Sequence, residues 1–419
     1  MSWFRLVSFL LLLYVAFIFY VPVPDNVNQK LQYRSVSAMT KFSKHLATLY
    51  SCFVPGTTGQ VKMTRKLLDI TRKWVLPSGK IYGPDVHLSV ERFDGVKVHV
   101  YTPPAGISQT LLPGFIYIHG GGLGFFDPEH YDGLTRKMCL ELNAVVISID
   151  YRLTPEHVFP IPFEDSFKAT KWFLLHAVDY NVDAERVAIG GDSAGGYLST
   201  TVAQAIHDDA TTHDLKLQVL LYPWLQILDL KTPSYQKYRH EIGSEGIIPL
   251  EIVTLFAAMH VYGLQTNETI LEAFMTNNHI SEEFKQGTLY KEKLSHSLLP
   301  LKYRDYPYYK PPTKSFPQSD DGRRIWEESS KVFLDPKLSP LLMEDLTGMP
   351  VTYIVTVEYD SIRDDGIIYG KLLEQAGVDV TWRHYDNAFH GIIWVGPGII
   401  FEDGSKIMEE VYTFVRSKL

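Results

Sequence analysis

The chain has 419 residues, 45% of them hydrophobic and 21% charged, with a formal net charge of -8. This is a globular composition with a sizeable core, in one large domain or two modest ones. The acidic balance without a long basic tract argues against a nucleic-acid partner, and the two cysteines, Cys52 and Cys139, exclude a disulfide-stapled scaffold or a four-thiolate zinc site. Those two thiols either pair or stand alone, and standing alone is the simpler reading.

The first informative segment is LVSFLLLLYVAFIFYV, sixteen residues without a charge from Leu6 to Val21. A spanning helix needs roughly 17–25 apolar residues. The segment FIFYVPVPDN lacks the paired small residues of a cleavage site, which favours an uncleaved signal anchor over a signal peptide. Trp3, Phe4, Phe9, Phe17 and Phe19 leave no polar face for an ordinary soluble helix. The expectation is a cytoplasmic stub and membrane anchor over residues 1–24, with the lipid bilayer as partner. Arg5 precedes the span and Asp25 follows it, which tilts the amino terminus toward the cytoplasm. The body then lies in the lumen or outside the cell, where Asn267, in the sequon Asn267-Glu268-Thr269, is a candidate glycosylation site.

Residues 25–90 read as mixed helical segments, with amphipathic pieces at KFSKHLATLY and VKMTRKLLDITRKWV. They belong either to a lid over a site or to a surface beside the membrane. VERFDGVKVHVYTPP predicts a hairpin turning at Asp94-Gly95. Apolar strand-like runs follow: GFIYIHG, AVVISIDYR, RVAIGG, LQVLLYPW, VTYIVTVEYD and VTWRHYD. Helix-like stretches such as EDSFKATKWFLLHAV and AGGYLSTTVAQAIHD separate most of them. Alternation of this kind predicts an α/β domain with a mostly parallel sheet covered on both faces. More than a hundred residues separate LLYPWLQ from VTYIV, too many for a structureless loop. The expected organisation is a core in two parts, 91–229 and 335–419, with a largely helical cap inserted at 230–334. The aromatic stretch KYRDYPYYKPP, Lys302–Pro312, either lines an acyl groove or packs the cap onto the sheet.

The residues that carry chemistry sit at strand ends. FIYIHGGGLGFF places His119 before Gly120, Gly121 and Gly122. Uncovered backbone there can turn N–H groups into a cavity, so Gly120 and Gly121 are candidate oxyanion donors. His119 reads as an organiser of that loop rather than a base. The run lacks the lysine–serine/threonine ending of a phosphate loop and the first glycine of a dinucleotide fingerprint. IGGDSAGG, from Ile189 to Gly196, places Ser193 between an apolar run and a helix-like segment, the context of a nucleophile elbow. The N–H of Ala194 is the third candidate donor. A serine alcohol needs a base, and the order serine, acid, histidine is expected on such a sheet. Asp360 directly follows the apolar run VTYIVTVEY and is the candidate acid, whereas Asp364 and Asp365 suit a helix start. His390 follows a polar break and precedes Gly391, making it the candidate base; His384 lies within a strand-like run and reads as packing. No HExxH or HxxEH arrangement is present, and neither a metal nor a cofactor is implied.

HGGG at His119–Gly122, DYRLTPEHVFPIPFED, GDSAG at Gly191–Gly195, SPLL at Ser339–Leu342, YDSIRDD and FHG together resemble the hormone-sensitive-lipase-like branch of the α/β-hydrolases, and within it the arylacetamide deacetylase-like group. The resemblance implies an eight-stranded sheet with a helical cap and a membrane-anchored enzyme facing the endoplasmic reticulum lumen. It implies hydrolysis of carboxylic esters, arylacetamides or neutral lipid esters, and it matches Ser193, Asp360 and His390 to the catalytic roles, with Gly120, Gly121 and Ala194 at the oxyanion hole. Leu123, Ser361 and Ile362 depart from the usual residues but remove no group the mechanism needs. The rival reading is an inactive hydrolase fold used for binding.

Overall fold

The computed structural model describes residues 3–54, 57–74, 83, 85–104, 110–311, 318–393 and 401–419. Its strands in chain order are β1 (His87–Phe93), β2 (Val96–Thr102), β3 (Leu112–Ile118), β4 (Val145–Asp150), β5 (Val182–Asp192), β6 (Leu217–Leu221), β7 (Val351–Tyr359) and β8 (Val380–Phe389). They form one sheet in the order β1-β2-β4-β3-β5-β6-β7-β8. The joins β1/β2 and β2/β4 are antiparallel, and the remaining five are parallel, so the sheet is mixed. The Asp94-Gly95 turn joins β1 to β2, with both residues at positive φ as a tight hairpin of this type demands.

Side chains alternate between the two faces with period two. Ile116, Ile118, Ile147 and Ile189 enter one buried core, while Phe115, Tyr117, Val146 and Ala188 enter the other. Both faces are therefore dry, and β6 is buried along its whole length.

Helices α1 (Trp3–Phe19), α2 (Lys30–Ser51) and α3 (Thr57–Trp74) precede the sheet. Helices α4 (Asp132–Leu142), α5 (Ile161–Leu175) and α6 (Ala194–His207) alternate with the first parallel strands. Between β6 and β7 come α7 (Pro233–Glu241), α8 (Leu250–Tyr262), α9 (Glu268–Met275), α10 (Glu282–Gln286), α11 (Thr288–Lys293) and α12 (Asp320–Phe333), the helical cap. Helices α13 (Arg363–Gln375) and α14 (Glu402–Lys418) complete the chain's secondary structure.

The expected membrane anchor is corrected by this structure. Among the described residues no helix is long and apolar enough to cross a membrane. The helix α1 has 17 residues, about 26 Å at 1.5 Å per residue, against a hydrocarbon core of about 30 Å. It stops before Pro22, which disfavours helical dihedrals in the residue ahead of it. Lys41 of α2 then donates to the carbonyls of Phe17 and Tyr20 at 3.0 and 3.2 Å, folding α1 back onto α2. The signal anchor, the bilayer as partner and the single-pass, luminal placement in the endoplasmic reticulum membrane have no support here.

Where the sequence left alternatives, packing decides. Tyr303 stacks on the buried Arg363 guanidinium 4.7 Å away, the Tyr306 hydroxyl donates to the Pro233 carbonyl, and Tyr308 lies 3.8 Å from the His240 ring. Tyr303 also lies 5.8 Å from Trp382 of β8, so it packs the cap onto the sheet, while Tyr306 and Tyr308 pack within the cap; the last residue of the stretch, Pro312, lies outside the described residues. Cys52 is exposed, Cys139 is buried, and both are free thiols.

Candidate active site

The loops that leave β3, β5, β7 and β8 emerge at the carboxyl edge of parallel strands, where open α/β sheets place their ligands. Each carries one of the groups picked out in the sequence. β5 ends at Asp192 and α6 begins at Ala194, so Ser193 alone makes the turn, at φ 55° and ψ -121°. Such angles are costly for a residue with a side chain and persist only where the surroundings enforce them. The flanking glycines make the turn possible. A Cβ on Gly191 would stand 2.2 Å from the Ile118 carbonyl oxygen, and one on Gly195 would stand 2.0 Å from the same atom. The spacing in GDSAG is thus a record of how closely β3 backbone passes the elbow.

The three distant residues meet. Ser193 Oγ lies 2.9 Å from His390 Nε2, and His390 Nδ1 lies 2.9 Å from Asp360 Oδ2. The first contact is a good hydrogen bond. The second has hydrogen-bond length but poor alignment, since neither Nδ1 nor Oδ2 meets the angular requirement for a bond to any partner. Proximity to the carboxylate still favours the tautomer protonated at Nδ1, leaving Nε2 to accept the serine proton. Asp360 Oδ1 accepts from the Ile362 N–H at 2.9 Å, and the His390 N–H donates to the Tyr359 carbonyl at 3.2 Å. The loops after β7 and β8 therefore hold each other. Ser193 is only 8% exposed and His390 7%.

The glycine loop differs in one respect from its expected role. The Gly120 N–H donates to Asp192 Oδ1 at 3.0 Å, so that amide is already committed. Asp192 also accepts from the Tyr117 and Tyr131 hydroxyls at 2.7 and 2.9 Å. Burial raises the Asp192 carboxyl above the usual range, and these donors only partly offset it. Gly121 and Gly122, at φ 99° and 60°, turn the chain next. A Cβ on Gly122 would strike the Phe256 ring of α8 at 2.1 Å, so the cap rests directly on this loop. The motif contained Asp192 and Gly122 in plain view, but their partners come from β3, the loop before α4, and the cap.

His119 behaves as an organiser. Its Nδ1 donates to the Gly120 carbonyl at 2.9 Å, and its ring stacks on Tyr151 at 4.4 Å. Burial holds its pKa below the ordinary imidazole value. His384 lies 3.1 Å from Glu358 and 3.2 Å from Asp386. Asp364 accepts from Arg363, while Asp365 accepts from the Leu225 N–H and the Gln226 amide. Asn267 is exposed, and its Oδ1 caps α9 by accepting from the Ile270 N–H at 3.1 Å.

Two groups of possible metal ligands gather elsewhere among the described residues: Asp69 with Asp127 and His130, and Glu358 with His384 and Asp386. In the second, Glu358 is already held by Arg363 and Lys237. A cleft of about 790 Å³ lies behind the acid loop between Lys237, Lys302, Glu358, Tyr359 and Asp386, not over Ser193. The candidate site rests on the arrangement of Ser193, His390 and Asp360, not on cavity size.

The chain is similar to known proteins along most of its length. A family described as having the alpha/beta hydrolase fold matches residues 115–282 and 300–394. Arylacetamide deacetylase of Oryctolagus cuniculus is 34% identical over 411 residues, covering 96% of each chain. Neutral cholesterol ester hydrolase 1 of Mus musculus is 40% identical over 316 residues, covering 74% of each. Among solved structures, an esterase of Pyrobaculum calidifontis is 25% identical, covers 85% of this chain and 92% of its own, and aligns with a TM-score of 0.62.

Proposed function

The chain belongs to the α/β-hydrolase family, in the group that contains the arylacetamide deacetylases, and on that premise we propose that it cleaves carboxylic esters of apolar acyl or lipid substrates through an acyl-enzyme on Ser193. It is a serine hydrolase. The observation that carries the proposed assignment of residues is the 2.9 Å hydrogen bond between Ser193 Oγ and His390 Nε2, joining residues 197 positions apart in sequence.

In the proposed cycle His390 takes the Ser193 proton as Oγ attacks the substrate carbonyl. Asp360 orients the imidazole and stabilises its cationic form. His390 then gives the proton to the leaving alcohol or amine, and water repeats the sequence on the acyl-enzyme. The oxyanion is assigned to the N–H groups of Gly121 and Ala194, with Gly122 in place of Gly120. The reason is that the Gly120 amide already donates to Asp192. Preformed donors of this kind each contribute about 3 kcal/mol or more in the transition state. Esters are placed ahead of amides because an alkoxide leaves more readily than an amine. The names of the relatives, an arylacetamide deacetylase and a cholesterol ester hydrolase, span both bonds. We further assign residues 230–334 as the cap that bounds the acyl pocket, supported by the contact of Phe256 with the glycine loop.

The test is hydrolysis of p-nitrophenyl esters of two to sixteen carbons by the wild type and Ser193→Ala. Turnover should fall about 10⁴-fold or more in the variant. Equal turnover by the two proteins would remove Ser193 from the mechanism. A folded wild type inert toward all the esters and toward arylacetamides would favour the binding-protein reading.

A further inference from the structure

We propose that Arg65, on helix α3 of the amino-terminal segment, is a positioning residue that holds the oxyanion loop in its working shape. The proposal rests on the serine-hydrolase reading above. The Arg65 guanidinium makes four hydrogen bonds. Nε donates to the Gly124 carbonyl at 2.9 Å and Nη2 to the Thr154 carbonyl at 2.6 Å. Nη1 and Nη2 also donate to the two oxygens of Glu156, at 2.8 and 3.0 Å. Gly124 belongs to the glycine loop; Thr154 and Glu156 belong to the segment after β4. The same two segments are joined again where the Thr154 N–H donates to the Leu123 carbonyl at 2.8 Å. Arg65 thus closes a ring around residues 123, 124, 154 and 156 from outside.

The loop needs such a clamp. Gly121, Gly122, Leu123 and Phe126 all sit at positive φ, from 60° to 99°. For Leu123 and Phe126 that conformation costs about 1 kcal/mol or more each and persists only when surrounding contacts over-determine it. Inside the loop, the Gly124 and Phe125 N–H groups both donate to the Gly121 carbonyl, at 3.1 and 3.0 Å. The Gly124 carbonyl on the outer side is held by Arg65. Only a planar, forked donor can serve two carbonyls and a carboxylate at once; a lysine ammonium lacks that geometry. Burial pushes the Glu156 carboxyl up, but Arg65 outweighs it and leaves the group below the ordinary carboxylate range.

The contribution to global stability is small. Arg65 and Glu156 side chains are 27% and 38% exposed, and partly exposed ion pairs stabilise little. The effect falls on loop geometry, where donors displaced by a fraction of an ångström lose transition-state stabilisation.

The experiment compares full-length wild type, Arg65→Gln and Arg65→Lys on p-nitrophenyl butyrate. It adds thermal midpoints and inhibition by an alkyl trifluoromethyl ketone. Ser193 Oγ adds to the carbonyl carbon of that ketone, the serine proton passes to His390 Nε2, and the carbonyl π pair becomes an oxyanion in the hole. In Arg65→Gln, kcat should fall about 10-fold and ketone affinity by the same factor, with KM within about twofold. The midpoint should move by no more than roughly 2 °C, and Arg65→Lys should fall between. Wild-type kcat in Arg65→Gln, or a loss of kcat without loss of ketone affinity, overturns the proposal. If Arg65→Gln does not fold, Arg65→Lys decides alone: about threefold lower kcat and ketone affinity at unchanged KM supports the role, and unchanged values overturn it. Absence of Ser193-dependent turnover in the wild type would overturn the hydrolase reading itself, and this proposal with it.

Discussion

The elbow and the cap are built on different physics. At the elbow, main chain meets main chain: Gly191 and Gly195 leave no room for a Cβ beside the Ile118 carbonyl, and Ser193 is forced to φ 55°. Where the core hands over to the cap, buried charges meet. Asp229 accepts from Tyr290 at 2.6 Å, from His296 at 2.9 Å, from Asn277 at 2.8 Å and from the Lys231 N–H at 2.9 Å. The elbow tolerates no added volume at Gly191 or Gly195. The cap depends on which protons are bound to Asp229 and His296.

Substitutions sharpen this contrast. The largest loss should come from Gly195→Ala, whose methyl would meet the Ile118 carbonyl oxygen at 2.0 Å and the His119 carbonyl at 2.7 Å. Both obstacles are backbone, so unfolding free energy should drop by about 5 kcal/mol, read by denaturant titration. A folded, fully active Gly195→Ala protein would show that the elbow is softer than argued. Asp229→Ala should cost about 3 kcal/mol, because it leaves His296 and Tyr290 buried without their acceptor.

The next effect is a pH dependence confined to the cap. Burial pushes the Asp229 carboxyl up, yet its His296 and Tyr290 bonds outweigh this and hold it well below the usual range. Its stabilisation is present above the unfolded carboxylate value, near 3.9, and is lost as pH falls through the lower folded value. Burial pulls the His296 imidazole down, yet Asp229 outweighs it and holds it above its ordinary value. That stabilisation is complete below about pH 6.5 and is lost as pH rises through the raised folded value. The pair should therefore stabilise most between roughly pH 4 and 6.5. Thermal midpoints measured from pH 4 to 9 should decline above that window in the wild type and decline less in His296→Gln. Parallel curves would remove this pair from the cap's pH response. The smallest effect should be Asn267→Ala, which removes the cap of α9 and costs about 1 kcal/mol by the same titration.

Much of the site could be read before any coordinates. The strands around GFIYIHG, AVVISID and LQVLL showed themselves as apolar runs because a parallel sheet is dry on both faces. The order of Ser193, Asp360 and His390 along the chain was the one expected on a sheet of this kind. Asp364 and Asp365 read as a helix start, and they lie in the first turn of α13. Other features depended on neighbours that composition does not reveal. The apolar amino-terminal run suggested a membrane span, but its helix ends at Phe19 and Lys41 folds it back, a contact between residues 24 apart. Gly120 and Gly121 read as equivalent candidate donors, and only the approach of Asp192 shows that the Gly120 amide is committed. Arg65 looked like one more basic residue on an amphipathic helix until tertiary packing set it against Gly124 and Thr154. Local pattern determines which residues can form a strand, a turn or a nucleophile, because those are properties of a few consecutive dihedrals and side chains. Which amide is free, which helix is covered and which arginine braces a loop are properties of contacts between distant segments, and only the folded chain supplies them.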